Sequence, residues 1–313
     1  MTRLVLTRLA LSVVLIFVST LTVFVLMALV PGDPARTILG ANATPDSIAY
    51  LREQLGLNQP LYEQYISWVG RAFTGDLGKS IFSGESVTSQ ILGRLPVTLS
   101  LMVLSTIVVT VVGGAFGILS AVRGGALGRV LDAVSLVGLA LPSFWVAVVL
   151  VGTFAVAIRI FPATGFVPIT QDPRLWLLSL ILPVAALSLG GVTLVAKQSR
   201  DSALDVLSRD YIRVLRAAGV SESAIVFKHV LRNASLPSLT VIGLTLVGAL
   251  TGTVFVENVF VLPGLGSLAT QATATHDLPV VLGVGVFFTL FVIIVNLVID
   301  ILYGILNPKV RLS

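Results

Sequence analysis

The sequence predicts an all-α integral membrane protein with six transmembrane helices, and three observations carry that prediction. The first is composition: of 313 residues, 56% are hydrophobic and 11% charged, and mean hydropathy is +1.01. Those values lie in the membrane class, outside the soluble one. The second is the spacing of charges. Uncharged runs lie between Arg8 and Asp33, Arg94 and Arg123, Asp132 and Arg159, Arg174 and Lys197, Arg232 and Glu257, and Asp277 and Asp300. Each exceeds the ~20 residues that cross ~30 Å of hydrocarbon as helix. The third is that none of these runs alternates in polarity as a barrel strand would. Helices then satisfy the backbone inside lipid.

Orientation follows from Lys and Arg. With the N-terminus inside, Arg3, Arg8, Arg123, Arg129, seven basic residues between 197 and 232, Lys309 and Arg311 are cytosolic, thirteen of twenty. Two short outer loops keep only Arg159 and Arg174, and the first outer loop is too long to vote strongly. Both termini are therefore expected in the cytosol, with the chain in the plasma membrane.

Residues 1–30 begin basic and then run apolar. The apolar part is too long for a signal-peptide core, and no small-residue cleavage site follows, so an uncleaved first helix is expected. Residues 31–94 form a polar outer segment. Thr44-Pro45-Asp46 is an N-cap with proline at the first helical position, opening a helix that Gly56 closes. Pro60 opens a second, ending near Gly75. The segment is too short to fold well alone. Gly78-Lys79-Ser80 resembles the end of a phosphate loop, but the earlier glycine that loop needs is replaced by Phe73, which excludes a nucleotide site.

Residues 95–306 hold the other five helices. The second, about 95–122, carries Gly113, Gly114 and Gly117; the third carries Pro142; the fourth carries Pro183, Gly190 and Gly191. Small residues let helices approach closely, and packing is their first reading. The fifth, read as starting where Pro237 breaks from the preceding loop, has a small, mildly polar face of Thr245, Gly248, Thr251 and Gly252, ending in Glu257-Asn258. That face is a candidate lining for a water-filled path. The last helix carries Asn296 and Asp300 near its inner end, where an ionisable group is a functional candidate or a structural salt bridge. A tail, 307–313, follows.

The polar island at 197–237 is the most informative stretch. Within it, 208–234 reads as two short helices about a turn. Ser208 is expected to cap the first, with Asp210 in its first turn and a stripe of Tyr211, Ile212, Leu215 and Ala218. Gly219 sits where a left-handed residue would stop it. Ser221 caps the second helix, Glu222 opens it, and Ile225, Val226, Val230 and Leu231 form its stripe. A bundle that only sat in lipid could use a much shorter loop.

Some function classes are excluded here. The net charge of +5 is distributed in loops between apolar runs, which suits anionic lipid and topology and argues against nucleic acid. There is no cysteine for a disulfide or thiolate site. His229 and His276 are expected on opposite membrane faces, and no G-x-S-x-G or H-E-x-x-H occurs, so the chain is not expected to be an enzyme or to bind metal.

The island resembles the cytoplasmic signature of permease subunits of binding-protein-dependent ABC importers, E-A-A-x-x-x-G-x9-I-x-L-P. Gly219 and Leu231 match, whereas Arg213, Val214 and Leu215 stand at the Glu-Ala-Ala positions and His229 and Arg232 at the isoleucine and proline. Those departures resemble the peptide/nickel branch, whose run is similar to D-Y-x-R-x-x-R-A-x-G followed by H-x-L-R-N-A. Asp210, Tyr211, Arg213, Arg216, Ala217, Gly219, His229, Leu231, Arg232, Asn233 and Ala234 fit it. Pro31-Gly32-Asp33-Pro34, Gly75-Asp76-Leu77-Gly78, Pro263-Gly264-Leu265-Gly266 and Asp300 through Asn307-Pro308-Lys309 extend the likeness over nearly the whole chain. They mark the first of the two permeases in such systems.

The resemblance implies a type I ABC importer fold. Its implied partners are a second homologous permease, two ATPase subunits that hold ATP and magnesium, and an extracytoplasmic substrate-binding protein. The island would be the coupling element against an ATPase, with Asp210 a possible substitute for the missing glutamate. Short peptides are the expected solute and nickel the alternative. Two other classes stand beside this one. A secondary transporter needs ion-coupling groups near the midplane in symmetric broken helices, and none is evident. A scaffold or channel subunit needs no capped helix pair on its inner face.

Overall fold

The computed structural model describes residues 2–40 and 42–306; the Asn307-Pro308-Lys309 motif and the tail lie outside the described residues. Among the described residues there are twelve helices and no strand, only an isolated bridge between Lys79 and Ser86. In chain order they are α1 (Thr2–Leu29), α2 (Pro34–Leu39), α3 (Pro45–Gln54), α4 (Leu61–Phe73), α5 (Val87–Arg123) and α6 (Gly125–Ala140). Then follow α7 (Ser143–Ala157), α8 (Pro173–Ser208), α9 (Asp210–Ala217), α10 (Glu222–Val259), α11 (Leu265–Thr275) and α12 (Leu278–Leu306).

Among the described residues, five helices are long and apolar enough to cross a membrane: α1 over Leu11–Leu29, α5, α8, α10 and α12. The third uncharged run is also helical, but in two pieces. Leu141 takes an extended backbone (φ −87°, ψ 116°) and separates α6 from the shorter apolar α7. The cause is Pro142, whose ring disfavours the helical conformation of the residue before it. α5 starts at Val87 rather than near residue 95, with Arg94 and Pro96 inside it.

The chain forms two compact units. The first comprises Met1–Thr98 and Pro263–Ile294. Here Asp33 caps α2, its Oδ1 accepting from the Ala35 amide at 3.0 Å. Thr44 caps α3 as its sequence demands, with Pro45 at the first position. α3 and α4 both end in Schellman closures: Gly56 (φ +67°) and Gly75 (φ +86°) adopt the left-handed conformation. Leu57 N–H donates to Arg52 C=O at 2.9 Å and Asp76 N–H to Arg71 C=O at 3.1 Å.

These short helices could not bury enough surface alone, and the structure gives them a shared core. Tyr65 and Trp68 of α4 pack with Phe24 of α1 and Leu282 of α12, and the Tyr65 hydroxyl meets Thr20 Oγ1 at 2.9 Å. A second cluster joins Val87 and Ile91 of α5 to Leu265, Leu268, Val280 and Val284. The Gly78-Lys79-Ser80 run is a tight turn in which the Gly78 and Ser80 amides are already occupied. Gly78 N–H donates to Asp76 Oδ1, Ser80 N–H to Glu85 C=O, and Ser80 Oγ to buried Asp277. Pro31-Gly32-Asp33-Pro34 has an equally local reason. His276, with φ +62°, brings its Nε2 to 3.1 Å from the Pro31 carbonyl, and its ring occupies the place a Cβ on Gly32 would need.

The second unit comprises Leu99–Leu262 and Val295–Ser313. It is organised around α8, whose buried face includes Val195, Ala196, Ser199 and Ala203. α5 meets it at glycines: a Cβ on Gly113 would lie 2.9 Å from the Val192 carbonyl oxygen, and one on Gly117 would run into the Ala196 carbonyl. Gly191 answers from α8 against Val109. α10 is tied to α8 by Ser199 and Ser238, whose buried hydroxyls are 3.0 Å apart. Tyr303 of α12 donates to the Leu236 carbonyl at 2.9 Å and also meets Thr240 Oγ1.

Two glycines on α5 provide a matched test. Gly117→Ala should cost about 1–3 kcal/mol, because the α5–α8 backbones must separate. At Gly114 a Cβ meets nothing within 4 Å, so Gly114→Ala should be neutral or stabilising by up to about 1 kcal/mol. Thermal unfolding of the two variants in one detergent measures this; equal losses would refute the close approach.

Candidate coupling surface and solute route

The polar island is not a loop hung between two membrane helices. α8 runs unbroken to Ser208 and α10 begins at Glu222, so both ends of the island are extensions of membrane spans. Only α9 stands separately between them. This corrects two expectations. Ser208 does not cap α9: it is the last residue of α8, and its Oγ donates to the Asp205 carbonyl at 2.8 Å. Arg209 occupies the cap position with extended backbone and no side-chain capping bond. Pro237 does not break the chain into a new helix either. It lies inside α10, which continues as helix through it to Val259.

The turn itself forms as its residues require. Gly219 has φ +79°, the left-handed conformation that a side chain would strain. Val220 N–H donates to Leu215 C=O at 3.1 Å and Gly219 N–H to Arg216 C=O at 3.0 Å, a Schellman closure. Ser221 Oγ then accepts from the Ala224 amide at 3.4 Å, and Glu222 opens α10.

What holds α9 down is one apolar cluster. Ile212, Ile225 and Val230 are fully buried, together with Ala203 and Val206 of α8, Ala121 of α5 and Ala234 of α10. The predicted α9 stripe is narrower than expected, since Ile212 is buried and Leu215 half-buried, whereas Tyr211 and Ala218 are exposed. An eight-residue helix makes contact along a seam, not a face. The remainder of the surface is outward: Val214 is 66% and Phe227 74% exposed, an apolar pair among charges.

Those charges are paired in a fixed pattern. Arg216 grips Glu222 across the turn with two bonds, Nε to Oε1 at 2.6 Å and NH2 to Oε2 at 3.2 Å. Arg209 meets Asp205 at 2.8 Å, and Arg213 meets Asp210 at 3.4 Å. Hydrogen bonding to Glu222 raises the Arg216 pKa, and bonding to Asp205 raises that of Arg209, so both guanidiniums stay charged. Asn233 Nδ2 donates to the His229 carbonyl at 2.8 Å and reaches the Tyr211 hydroxyl at 3.4 Å. The Tyr211 and His229 rings lie 6.2 Å apart. Ala217 ends α9, and Arg232 is exposed on α10. The structure thus gathers Asp210, Tyr211, Arg213, Arg216, Ala217, Gly219, His229, Arg232 and Asn233 around one turn.

The proposed path residues are divided. Thr245, Gly248 and Gly252 line a cavity of about 400 Å³ with Ser105, Leu187 and Gly191. Thr251 does not line it and is exposed elsewhere on α10; Asn258 is exposed, its Nδ2 donating to the Val254 carbonyl at 2.6 Å. Glu257 has no exposed surface, and it is engaged with a partner. The α5 and α8 walls were missed by reading α10 alone. Their small residues, Ser105 and Gly191, are the signal that could have found them. A smaller cavity of about 260 Å³ lies further along the same three helices, between Gly114, Ser199 and Ser235.

The chain is similar to known proteins over its full length. Residues 113–312 match the family described as binding-protein-dependent transport system inner membrane component, and residues 1–102 match the corresponding N-terminal family. A Brucella abortus (strain 2308) protein, provisionally named as a peptide transport system permease, is 39% identical over 312 residues, covering 99% of both chains. The oligopeptide transport system permease protein AppB of Bacillus subtilis (strain 168) is 35% identical over 308 residues, covering 97% of this chain and 98% of that one. Among solved structures, the fold is similar to a chain of the inward-facing MetNI methionine ABC transporter. The TM-score is 0.55 at 16% identity, covering 70% of this chain and 97% of that one. By these matches the chain belongs to the binding-protein-dependent transport system inner membrane component family.

Proposed function

We propose that this chain is the permease subunit of an ATP-driven importer that moves di- and oligopeptides across a bacterial plasma membrane. The observation that carries the reading is the end-to-end likeness to peptide permeases, AppB among them, in a chain whose helices on either side of Gly219 leave Val214 and Phe227 exposed. Nickel is the lesser alternative, because two histidines and no cysteine give this chain little for a borderline metal.

In this reading both termini are cytosolic, residues 31–94 face outward, and residues 208–234 meet an ATPase subunit. A second homologous permease, a second ATPase and an extracytoplasmic binding protein complete the importer. ATP and magnesium are held by the ATPases, so hydrolysis happens there and not on this chain. The permease's part is mechanical. A push on α9 reaches α8 and α10 through the buried Ile212–Ile225–Val230 cluster, and those helices carry the walls of the Thr245–Gly248 cavity. Val214 and Phe227 supply apolar contact, and Asp210 takes the place of the family's motif glutamate on the same surface.

Three outcomes are expected. Gly219→Val should strain the turn by roughly 1–3 kcal/mol, leaving membrane insertion intact while ATPase association or transport-coupled hydrolysis is lost; wild-type pull-down and hydrolysis would remove this turn from coupling. Arg216→Glu should impair coupling, and adding Glu222→Arg should restore much of it, with the rescue shrinking at high salt as an exposed pair is screened. No rescue would mean the pair does not set the turn. Third, a cysteine at Gly248 should be modified by a polar thiol reagent during transport and one at Thr251 should not; protection of the Gly248 cysteine would sink the route.

A further inference from the structure

The first unit contains a cavity that the transport reading does not use. Its volume is about 570 Å³, within the range of small-molecule sites. Its two walls differ in chemistry. One is apolar, formed by Phe24 and Met27 at the end of α1 and by Leu282 near the start of α12. The other is polar, formed by Arg52 of α3 and by Ser67 and Arg71 of α4, with Trp68 lying between the two.

The position of this cavity decides what can fill it. The apolar span of α1 is Leu11–Leu29, so Phe24 and Met27 lie toward its end, and α4 packs against the same span through Tyr65, whose hydroxyl meets Thr20. Around α1 from the cavity, Val25, Leu26 and Leu29 are exposed apolar residues of the kind that face lipid. Charge is unbalanced on the polar wall. Arg52 is matched by Asp33 at 3.3 Å, whereas Arg71 is exposed and forms no ion pair among the described residues. A small anion would leave the apolar wall wet, and a purely apolar molecule would leave Arg71 unanswered. An anionic amphiphile answers both.

We propose that this cavity is a binding site for an anionic phospholipid from the adjoining leaflet, with its phosphate at Arg71 and an acyl chain along Phe24, Met27 and Leu282. Guanidinium is suited to phosphate through paired hydrogen bonds, and a membrane-surface arginine favours anionic lipid by about fivefold. The site is independent of the solute that the importer carries.

Trp68 is a built-in reporter. The chain has three tryptophans, so Trp145→Phe with Trp176→Phe leaves Trp68 alone in the full-length protein. Reconstituted with phosphatidylglycerol or phosphatidylcholine brominated in the acyl chain, Trp68 should be quenched with about fivefold higher apparent affinity for phosphatidylglycerol. Arg71→Gln should erase that preference and Arg71→Lys should keep most of it, with Trp68 emission in unbrominated lipid unchanged as evidence of folding. Ser67→Phe, which fills the cavity without altering charge, should weaken quenching by both lipids. Equal quenching by the two lipids, no quenching, or a preference that survives Arg71→Gln would overturn the proposal. So would relief of quenching by a short peptide where inorganic phosphate gives none, since the cavity would then be a peptide site.

Discussion

Everything proposed for the turn at Gly219 depends on one buried contact, the apolar seam that pins α9 to the roots of α8 and α10. Ile212, Ile225 and Val230 have no exposed surface. At roughly 1.5–3 kcal/mol for each such side chain, the cluster outweighs anything that an eight-residue helix could supply by propensity. Without it α9 would be a polar loop with charged ends. With it, α9 cannot shift without displacing Ala203 and Val206 on α8 and Ala234 on α10.

The ion pairs add direction to that hold more than strength. Arg216 and Glu222 belong to different helices and meet across a turn whose glycine is left-handed. Two parallel bonds fix an angle as well as a distance, so the pair determines how α10 leaves the turn. Being exposed, it contributes little to stability. Pairing Asp210 with Arg213 instead keeps both charges on one face of α9, open to a partner.

What the sequence made legible was local. Thr44, Gly56, Gly75, Gly219 and Ser221 each occupy the cap or closure their chemistry predicts, because caps are decided within a few residues. Ser208 and Pro237 were misread for the converse reason. Ser208 is a good cap in isolation, but packing of Ala203 and Val206 carries α8 on to include it. Pro237 is a helix breaker in water, yet in a membrane helix the alternative to a continuous backbone is unsatisfied polar groups in lipid. The latches of the first unit, Ser80 to Asp277 and His276 over Gly32, join residues about 200 and about 245 apart and carry no local signal.

Glycine shows most sharply where a one-dimensional reading ends. Gly113 and Gly117 are spacers, each facing a backbone carbonyl too close for a side chain, whereas Gly114 faces open cavity. Gly113 and Gly114 are adjacent, yet their uses are opposite. A helix of 3.6 residues per turn rotates successive residues by about 100°, so a single step along the chain moves a glycine from the packed seam to the cavity. Close approach and free space are thus built from the same residue on the same helix, and the packed glycines hold the walls at the spacing that leaves room beside the open ones. A widened α5–α8 or α8–α10 contact would therefore change the cavity even when no residue that lines it is altered.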